Sequence, residues 1–165
     1  MATRLVVMKD GYIQQVGTPK DVYDFPNNVF VGGFIDSPAM NFFTGILTAD
    51  GFMMGDTKIH LPADKHALLK DKGYEGQEVI MGVRPEDIYT SVADIESNAA
   101  STFSATIEVA ELLGAETYLY SNVNGSDFIA RIESNTTIQP MDTIPLAFDM
   151  TKAHFFDKET ENRIH

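Results

Sequence analysis

The sequence predicts a mainly β protein in which short antiparallel strands close a small barrel, preceded by a β-hairpin and two short helices. From residue 41 onward, runs rich in β-branched and aromatic residues alternate with turn residues at regular spacing, as in small barrels and sandwiches of the OB type. Hydrophobic residues make up 44% of the 165 residues, which is enough for a packed core without disulfides or metal.

The chain begins with the predicted hairpin. Residues 5–8 and 12–16 are β-rich runs, and Asp10-Gly11 between them is typical of a tight hairpin turn. Because a two-stranded hairpin is marginal in water, we expect it to join a larger sheet.

Two short helices are predicted after the hairpin. Thr18 is placed to cap the first helix, with Pro19 at its first position, and Pro26 ends it. Asn27 or Asn28 caps the second helix, in which apolar residues recur at helical spacing.

The remaining residues read mainly as strands. Asn124-Gly125 is the strongest hairpin signal in the sequence. Residues 62–72 have helical character, and residues 90–101 are predicted to be a polar loop. The predicted strands are residues 42–48, 51–54, 58–61, 78–83, 103–113 (with a bulge), 117–123, 126–132, 144–148 and 154–156.

Composition excludes several classes of function. The chain has 12 Lys and Arg against 24 Asp and Glu, for a net charge of −12, which repels nucleic acid and anionic lipid. It has no cysteine, so thiol catalysis, disulfides and thiolate metal sites are excluded, in keeping with a reducing cytosol. We find neither a secretory signal pattern nor an apolar run long enough to span a bilayer.

No standard enzyme motif occurs in the sequence: phosphate loop, dinucleotide fingerprint, zinc-protease motif and nucleophile elbow are all missing. The pairs Glu86/Asp87 and Glu108/Glu111 are better explained as solvated surface charge than as an acid and a base. The four histidines are scattered. We therefore predict no catalytic, cofactor-binding or metal-binding residue in this chain.

Residues 38–43 combine methionine and phenylalanine directly after a break marked by glycine and proline. Met40, Phe42 and Phe43 either form the lid of the barrel or contact another protein, since interfaces are enriched in such residues. The pattern leaves both interpretations open.

Arg84-Pro85-Glu86-Asp87 follows the predicted strand 78–83. The strand would deliver Arg84 to an exposed corner that Pro85 stiffens. Such a corner is either an arginine–carboxylate staple or a recognition site.

Several segments together resemble one family. The order and spacing of the motifs match the C-terminal part of the ATP-binding subunits of carbohydrate ABC importers of the maltose and multiple-sugar type. The segments are LVVMKDG (5–11), IQQVGTP (13–19), VYDFP (22–26), FVGGFI (30–35), SPAMNF (37–42) and GVRPEDI (82–88), followed more loosely by LLGAETYL (112–119) and HFFD (154–157).

The resemblance implies two parts. Residues 1–36 would be the trailing segment of an ABC nucleotide-binding domain, and residues 37–165 a regulatory domain of OB-like TOBE fold that holds two ATPase subunits together. The phosphate loop and signature loop would lie upstream. The chain itself would then be neither an enzyme nor a cofactor binder, whereas the full-length parent would be a sugar-transporting ATPase that uses ATP and Mg²⁺.

The resemblance also implies partners: a second copy of the chain, membrane permease subunits reached through the nucleotide domain, and in some members a regulatory protein. The parent would be cytoplasmic and peripheral on the inner face of the cell membrane. By the same resemblance, the candidate subunit interface consists of Ser37, Pro38, Met40, Asn41 and Phe42.

For the regulatory protein, the resemblance points to a contact corner at Arg84, Glu86 and Asp87. The competing hypothesis is a free-standing barrel that binds a small ligand, an oxyanion or a sugar. It is motivated by the similarity of paired OB-like halves to molybdate-binding modules.

Overall fold

The computed structural model describes residues 3–165 and confirms a mainly β fold. The N-terminal hairpin consists of β1 (Leu5–Lys9) and β2 (Tyr12–Gly17), which pair antiparallel. It forms a separate two-stranded sheet, so the expectation that it joins a larger sheet is wrong for the described residues. The short helices cover one of its faces instead, because Val7 packs against Val22 and Val31.

The two predicted helices are confirmed as α1 (Pro19–Asp24) and α2 (Val29–Phe34). Thr18 and Asn28 are the N-caps, and their side-chain oxygens accept hydrogen bonds from first-turn amides at 3.1 and 2.9 Å. Each cap satisfies one of the free amides at the start of its helix.

Two five-stranded antiparallel sheets form the barrel. The first contains, in sheet order, β10 (Ser126–Glu133), β9 (Glu116–Val123), β8 (Thr102–Leu113), β11 (Thr143–Phe148) and β7 (Ile88–Tyr89). The second contains β12 (His154–Asp157), β6 (Glu78–Val83), β3 (Asn41–Thr48), β4 (Gly51–Met54) and β5 (Thr57–Ile59).

Aromatic side chains from both sheets meet in the core. Phe43 of β3 lies 5.7 Å from Phe128 and 5.2 Å from Phe148 between ring centroids, and Phe103 stacks on Phe148 at 4.5 Å. All four rings are buried. Alternating burial along β3 and β9 fits strands with one face on this core.

Most local predictions agree with these elements. Asn124 and Gly125 both have positive φ, at 54° and 86°, as a primed hairpin turn requires. The register between β8 and β9 shifts at Ile107/Val109, which confirms the predicted bulge, and residues 62–72 contain α3 (Ala63–Asp71).

The predicted polar loop at 90–101 is wrong. It contains α4 (Val92–Ser97) and a 3-10 turn at Ala99–Ser101. Ser91 caps α4 by accepting a hydrogen bond from the Asp94 amide at 3.2 Å. A good cap thus starts a helix that has no apolar stripe. Of the helices described, none has the length and apolar character that crossing a bilayer requires.

Candidate functional site

The segment predicted as a subunit interface is only partly at the surface. Ser37 is exposed, Pro38 and Phe42 are half-buried, and Met40 and Asn41 are buried. The segment therefore combines the two interpretations that the sequence leaves open, because two of its side chains pack inside and the others reach the surface.

Met40 packs between the N-terminal segment and the barrel. Its sulfur lies close to Gly32 of α2 and to Gly82 of β6. A Cβ atom added at Gly32 would be 3.1 Å from this sulfur, and one added at Gly82 would be 2.5 Å from it. Phe42 meets Phe156 edge to face, with ring centroids 5.8 Å apart. Glycine at both positions lets the helix and the strand approach this methionine closely.

Asn41 connects the two sheets. Its Nδ2 donates to the carbonyl oxygen of Ile129 in β10, and its Oδ1 accepts from the Ile129 amide, both at 2.9 Å. The side-chain amide thus takes the place of a neighbouring strand for one residue of β10. A buried Asn with both ends satisfied has a structural role.

A shallow groove of about 560 Å³ runs beside this segment. Phe42, Tyr120, Phe128 and Ile129 line it, together with the carboxylates of Glu108 and Asp127. Val109 is 48% exposed and pairs with Tyr120 across the outer face of the sheet. Apolar and aromatic side chains therefore continue from the groove onto the outer face of β8 and β9.

Arg84 is not at an exposed corner, so that prediction is wrong. Its side chain is only 3% exposed, and its guanidinium group lies against the ring of Tyr23, 4.2 Å from the centroid. Its Nη1 donates to the carbonyl oxygens of Gly32 and Ile35 at 3.3 and 3.0 Å, and its Nη2 to that of Tyr23 at 2.9 Å. The sequence could not show this, because the carbonyls lie some fifty to sixty residues away.

The two carboxylates of the corner also differ from the prediction of solvated charge. Asp87 is buried, 3.6 Å from the Lys152 ammonium, and burial raises its pKa from 3.8 to about 6. Glu86 is the more accessible of the two and lies 3.4 Å from Arg131. An arginine–carboxylate staple within the corner is not formed, since Arg84 binds backbone carbonyls instead.

Two further basic residues of the barrel hold the N-terminal segment. The His154 Nε2–H donates to the Asp24 carbonyl at 2.6 Å, and burial lowers the pKa of this imidazole to about 4. Arg163 donates from Nε to the Pro26 carbonyl at 3.0 Å. Sequence reasoning missed both. The sequence offers only an indirect indication of them: neither α1 nor α2 has a basic residue in its last turn, so their last carbonyls need a donor from elsewhere.

Among residues 3–165, no group of three or more His, Asp or Glu side chains has the arrangement of a metal site. The arrangement that does stand out is the joint between residues 19–36 and the barrel, together with the groove beside Phe42.

Comparison with known proteins adds two domain matches. Residues 37–88 match the MalK OB fold domain, and residues 81–156 match the TOBE domain. Among solved structures, the cytoplasmic molybdate-binding protein ModG has a TM-score of 0.57 at 12% identity, covering 70% of this chain and 94% of that protein. At this identity the likeness shows the fold alone.

Two similar curated proteins are ATP-binding proteins of importers. One is the oligosaccharides import ATP-binding protein MsmX of Bacillus subtilis (strain 168), 57% identical over 99% of this chain and 45% of its own length. Another is the trehalose/maltose import ATP-binding protein MalK of Thermococcus litoralis, 40% identical over 99% of this chain and 45% of its own length. The chain thus spans less than half the length of these relatives.

Proposed function

Since the chain belongs to the family of MalK-type OB fold and TOBE domains, we propose that it holds two copies of a sugar-importing ATPase together. The domain content is that of the regulatory C-terminal region of a carbohydrate ABC transporter ATPase. The full-length parent would bind ATP and Mg²⁺ and couple hydrolysis to sugar import. This chain would contribute regulation and dimerisation without catalysis.

We assign residues 1–36 to the end of a nucleotide-binding domain and residues 37–165 to the regulatory domain. The hairpin supports this division. One of its faces carries apolar side chains that are 43% to 62% exposed: Val6, Met8, Ile13 and Val16. An apolar face of this kind is typical of a surface that another part of the protein covers. Because the relatives are more than twice as long, the preceding part of the same subunit is the occupant that we propose.

For dimerisation we propose the groove beside Phe42 and the outer face of β8 and β9. The supporting observation is that Phe42 and Tyr120 line the groove and that the exposed Val109 pairs with Tyr120 on the neighbouring strand. Of the sequence-predicted interface residues, Ser37, Pro38 and Phe42 remain available for this contact, whereas Met40 and Asn41 support it from inside. A lasting contact here keeps two nucleotide domains at high effective concentration, so that each cycle avoids the cost of a new association.

Other partners follow from the same proposal. Permease subunits would contact the nucleotide-binding domain, which places the complex at the cytoplasmic face of the membrane. Glu86 is the accessible member of the sequence-predicted regulatory corner, so a regulatory protein would contact this side chain, whereas Arg84 and Asp87 lie beneath it.

Sedimentation at several concentrations tests the dimerisation. We expect a concentration-dependent dimer that Val109→Asp disrupts, because the new carboxylate would be buried in the contact. Val92→Asp is the matched control, since Val92 is 73% exposed on α4 and outside the groove. A strict monomer, or equal loss of dimer in both variants, would contradict the proposal.

The alternative function is a free-standing barrel that binds an oxyanion or a sugar. The likeness to ModG bears only on the fold and favours no ligand. Calorimetric titration of this chain with molybdate, tungstate, sulfate and common sugars separates the two functions. Saturable binding to a monomer would favour the alternative.

A further inference from the structure

The joint between the N-terminal segment and the barrel depends on basic side chains that bind helix ends. Arg84 makes the most of these contacts, because its guanidinium group donates hydrogen bonds to three carbonyl oxygens: those of Tyr23, Gly32 and Ile35. Tyr23 belongs to the last turn of α1, and Ile35 is the C-cap of α2. One guanidinium group therefore holds the C-terminal ends of both helices.

The physical reason is the charge distribution of a helix. The last carbonyls of a helix have no partner within it, and the partial negative charge there favours a cation. Neither α1 nor α2 has a basic residue in its own last turn. The barrel supplies the cation for both helices from a single residue at the end of β6.

The attachment of Arg84 makes this contact rigid. β6 lies between β12 and β3 in the second sheet, and its residues 79–83 are all buried. The guanidinium group is planar and its donors have a fixed geometry, so three carbonyls bound to it are fixed relative to one another. Its Nε is buried without a hydrogen-bond partner. This unpaired donor is unfavourable by itself, and the three hydrogen bonds from Nη1 and Nη2 to the helix ends offset it.

We propose that Arg84 is a positioning residue that couples the orientation of the barrel to that of α1, α2 and the hairpin. The hairpin rests on the two helices through Val7, Val22 and Val31, so it follows their orientation. The consequence for regulation rests on the proposed function: if the hairpin ends the ATP-binding domain, a partner that shifts the barrel would shift that domain through the joint that Arg84 orders.

Other contacts also hold the N-terminal segment on the barrel, so Arg84 can be replaced without detaching it. His154 and Arg163 hold the carbonyls of Asp24 and Pro26, and Met40 packs against Gly32. The backbone of residues 27–29 also pairs with residues 161–163, so we expect the N-terminal segment to stay attached when Arg84 is replaced, with α1 and α2 taking a wider range of orientations. Loss of the Arg84 contacts would therefore change the orientation of the N-terminal segment while the barrel stays folded.

The experiment measures orientation directly with two spin labels. The chain has no cysteine, so Tyr12→Cys at the start of β2 and Ser104→Cys on the exposed side of β8 give one label on each side. An excess of unlabelled chain suppresses signals between copies. We expect a narrow distance distribution in the parent chain and a broad one in Arg84→Met. Arg131→Met is the matched control, because Arg131 is a half-buried barrel arginine paired with Glu86 and Glu116.

Hydrogen exchange on the same variants separates positioning from general stability. In Arg84→Met, amides of α1 and α2 should exchange about tenfold faster or more, as expected from the loss of hydrogen bonds to a charged donor, while β3 and β6 keep their protection. Arg84→Lys keeps the positive charge but lacks the planar guanidinium group that reaches three carbonyls at once, so it should also broaden the distance distribution.

Two results would overturn the proposal. One is an unchanged distance distribution in both Arg84 variants. The other is faster exchange spread uniformly over the barrel, which would make Arg84 a general stabilising residue. If Arg84→Met does not fold, Arg84→Lys alone decides between these outcomes. Failure of the dimerisation proposal is distinguishable, because a monomeric chain leaves these measurements within one copy unchanged.

Discussion

The amide of Asn41 gives the sharpest prediction about how the barrel is held together. Asn41→Leu keeps the size of a side chain that is only 7% exposed and removes two hydrogen bonds of 2.9 Å to the backbone of Ile129. The amide and carbonyl of Ile129 would lose their partners in a half-buried strand. An unpaired buried group costs about 1–3 kcal/mol. For two groups with some access to water, we expect the free energy of unfolding to fall by about 2–4 kcal/mol.

Urea unfolding followed by far-ultraviolet circular dichroism measures this loss. Asn122→Leu is the control, since Asn122 bonds to Asp127 and Gly125 at an exposed hairpin and its loss should cost less than about 1 kcal/mol. A loss for Asn41→Leu no larger than that of the control would refute the idea that this amide joins the two sheets.

Three other substitutions test the joint and its surroundings. Gly82→Ala should destabilise the protein by about 1–3 kcal/mol, because its Cβ would lie 2.5 Å from the Met40 sulfur; thermal unfolding shows this as a lower melting temperature. The pKa of His154 is lowered to about 4, so folding favours the neutral imidazole. The free energy of unfolding should therefore be highest above pH 6.5 and fall by up to about 3 kcal/mol as the pH decreases towards 4. His154→Gln should flatten this part of the pH profile of unfolding, and a profile identical to the parent's would contradict the assignment. The pKa of Asp87 is raised to about 6, so its ionised form opposes folding above pH 6. Asp87→Asn should therefore gain stability relative to the parent at pH 7, by up to about 3 kcal/mol, with the gain shrinking as the pH falls below 6.

Local signals in the sequence were enough for most of the secondary structure. Turn dipeptides such as Asn124-Gly125 and caps such as Thr18 act through neighbouring residues, so their effect can be predicted without the fold. The same reasoning would have found α4, because Ser91 and Asp94 form a capping pattern. That helix was missed because its exposed, polar sequence lacks the apolar periodicity on which the prediction relied.

The position of Arg84 could not be predicted in this way. An arginine after a strand and before proline looks exposed, since burial of a guanidinium group requires partners. Its partners are carbonyls of helix ends at Tyr23, Gly32 and Ile35, and they become available only once α1 and α2 pack against the barrel. The same holds for Asn41, whose partner Ile129 is 88 residues away. The positions of both side chains thus depend on hydrogen bonds to residues far away in the sequence, which local patterns do not reveal.

The most direct test of the central claim is the distance between identical labels in two copies of the chain. A single Glu108→Cys label lies at the rim of the groove, and a single Tyr12→Cys label lies at the tip of the hairpin, 75% exposed. Because a two-fold contact brings the same surface of both copies together, dimerisation through the groove predicts a short, well-defined distance for the Glu108→Cys label and none for the Tyr12→Cys label. A short distance at Tyr12→Cys alone would show that the hairpins pair instead, and no short distance at either position would contradict dimerisation through the groove.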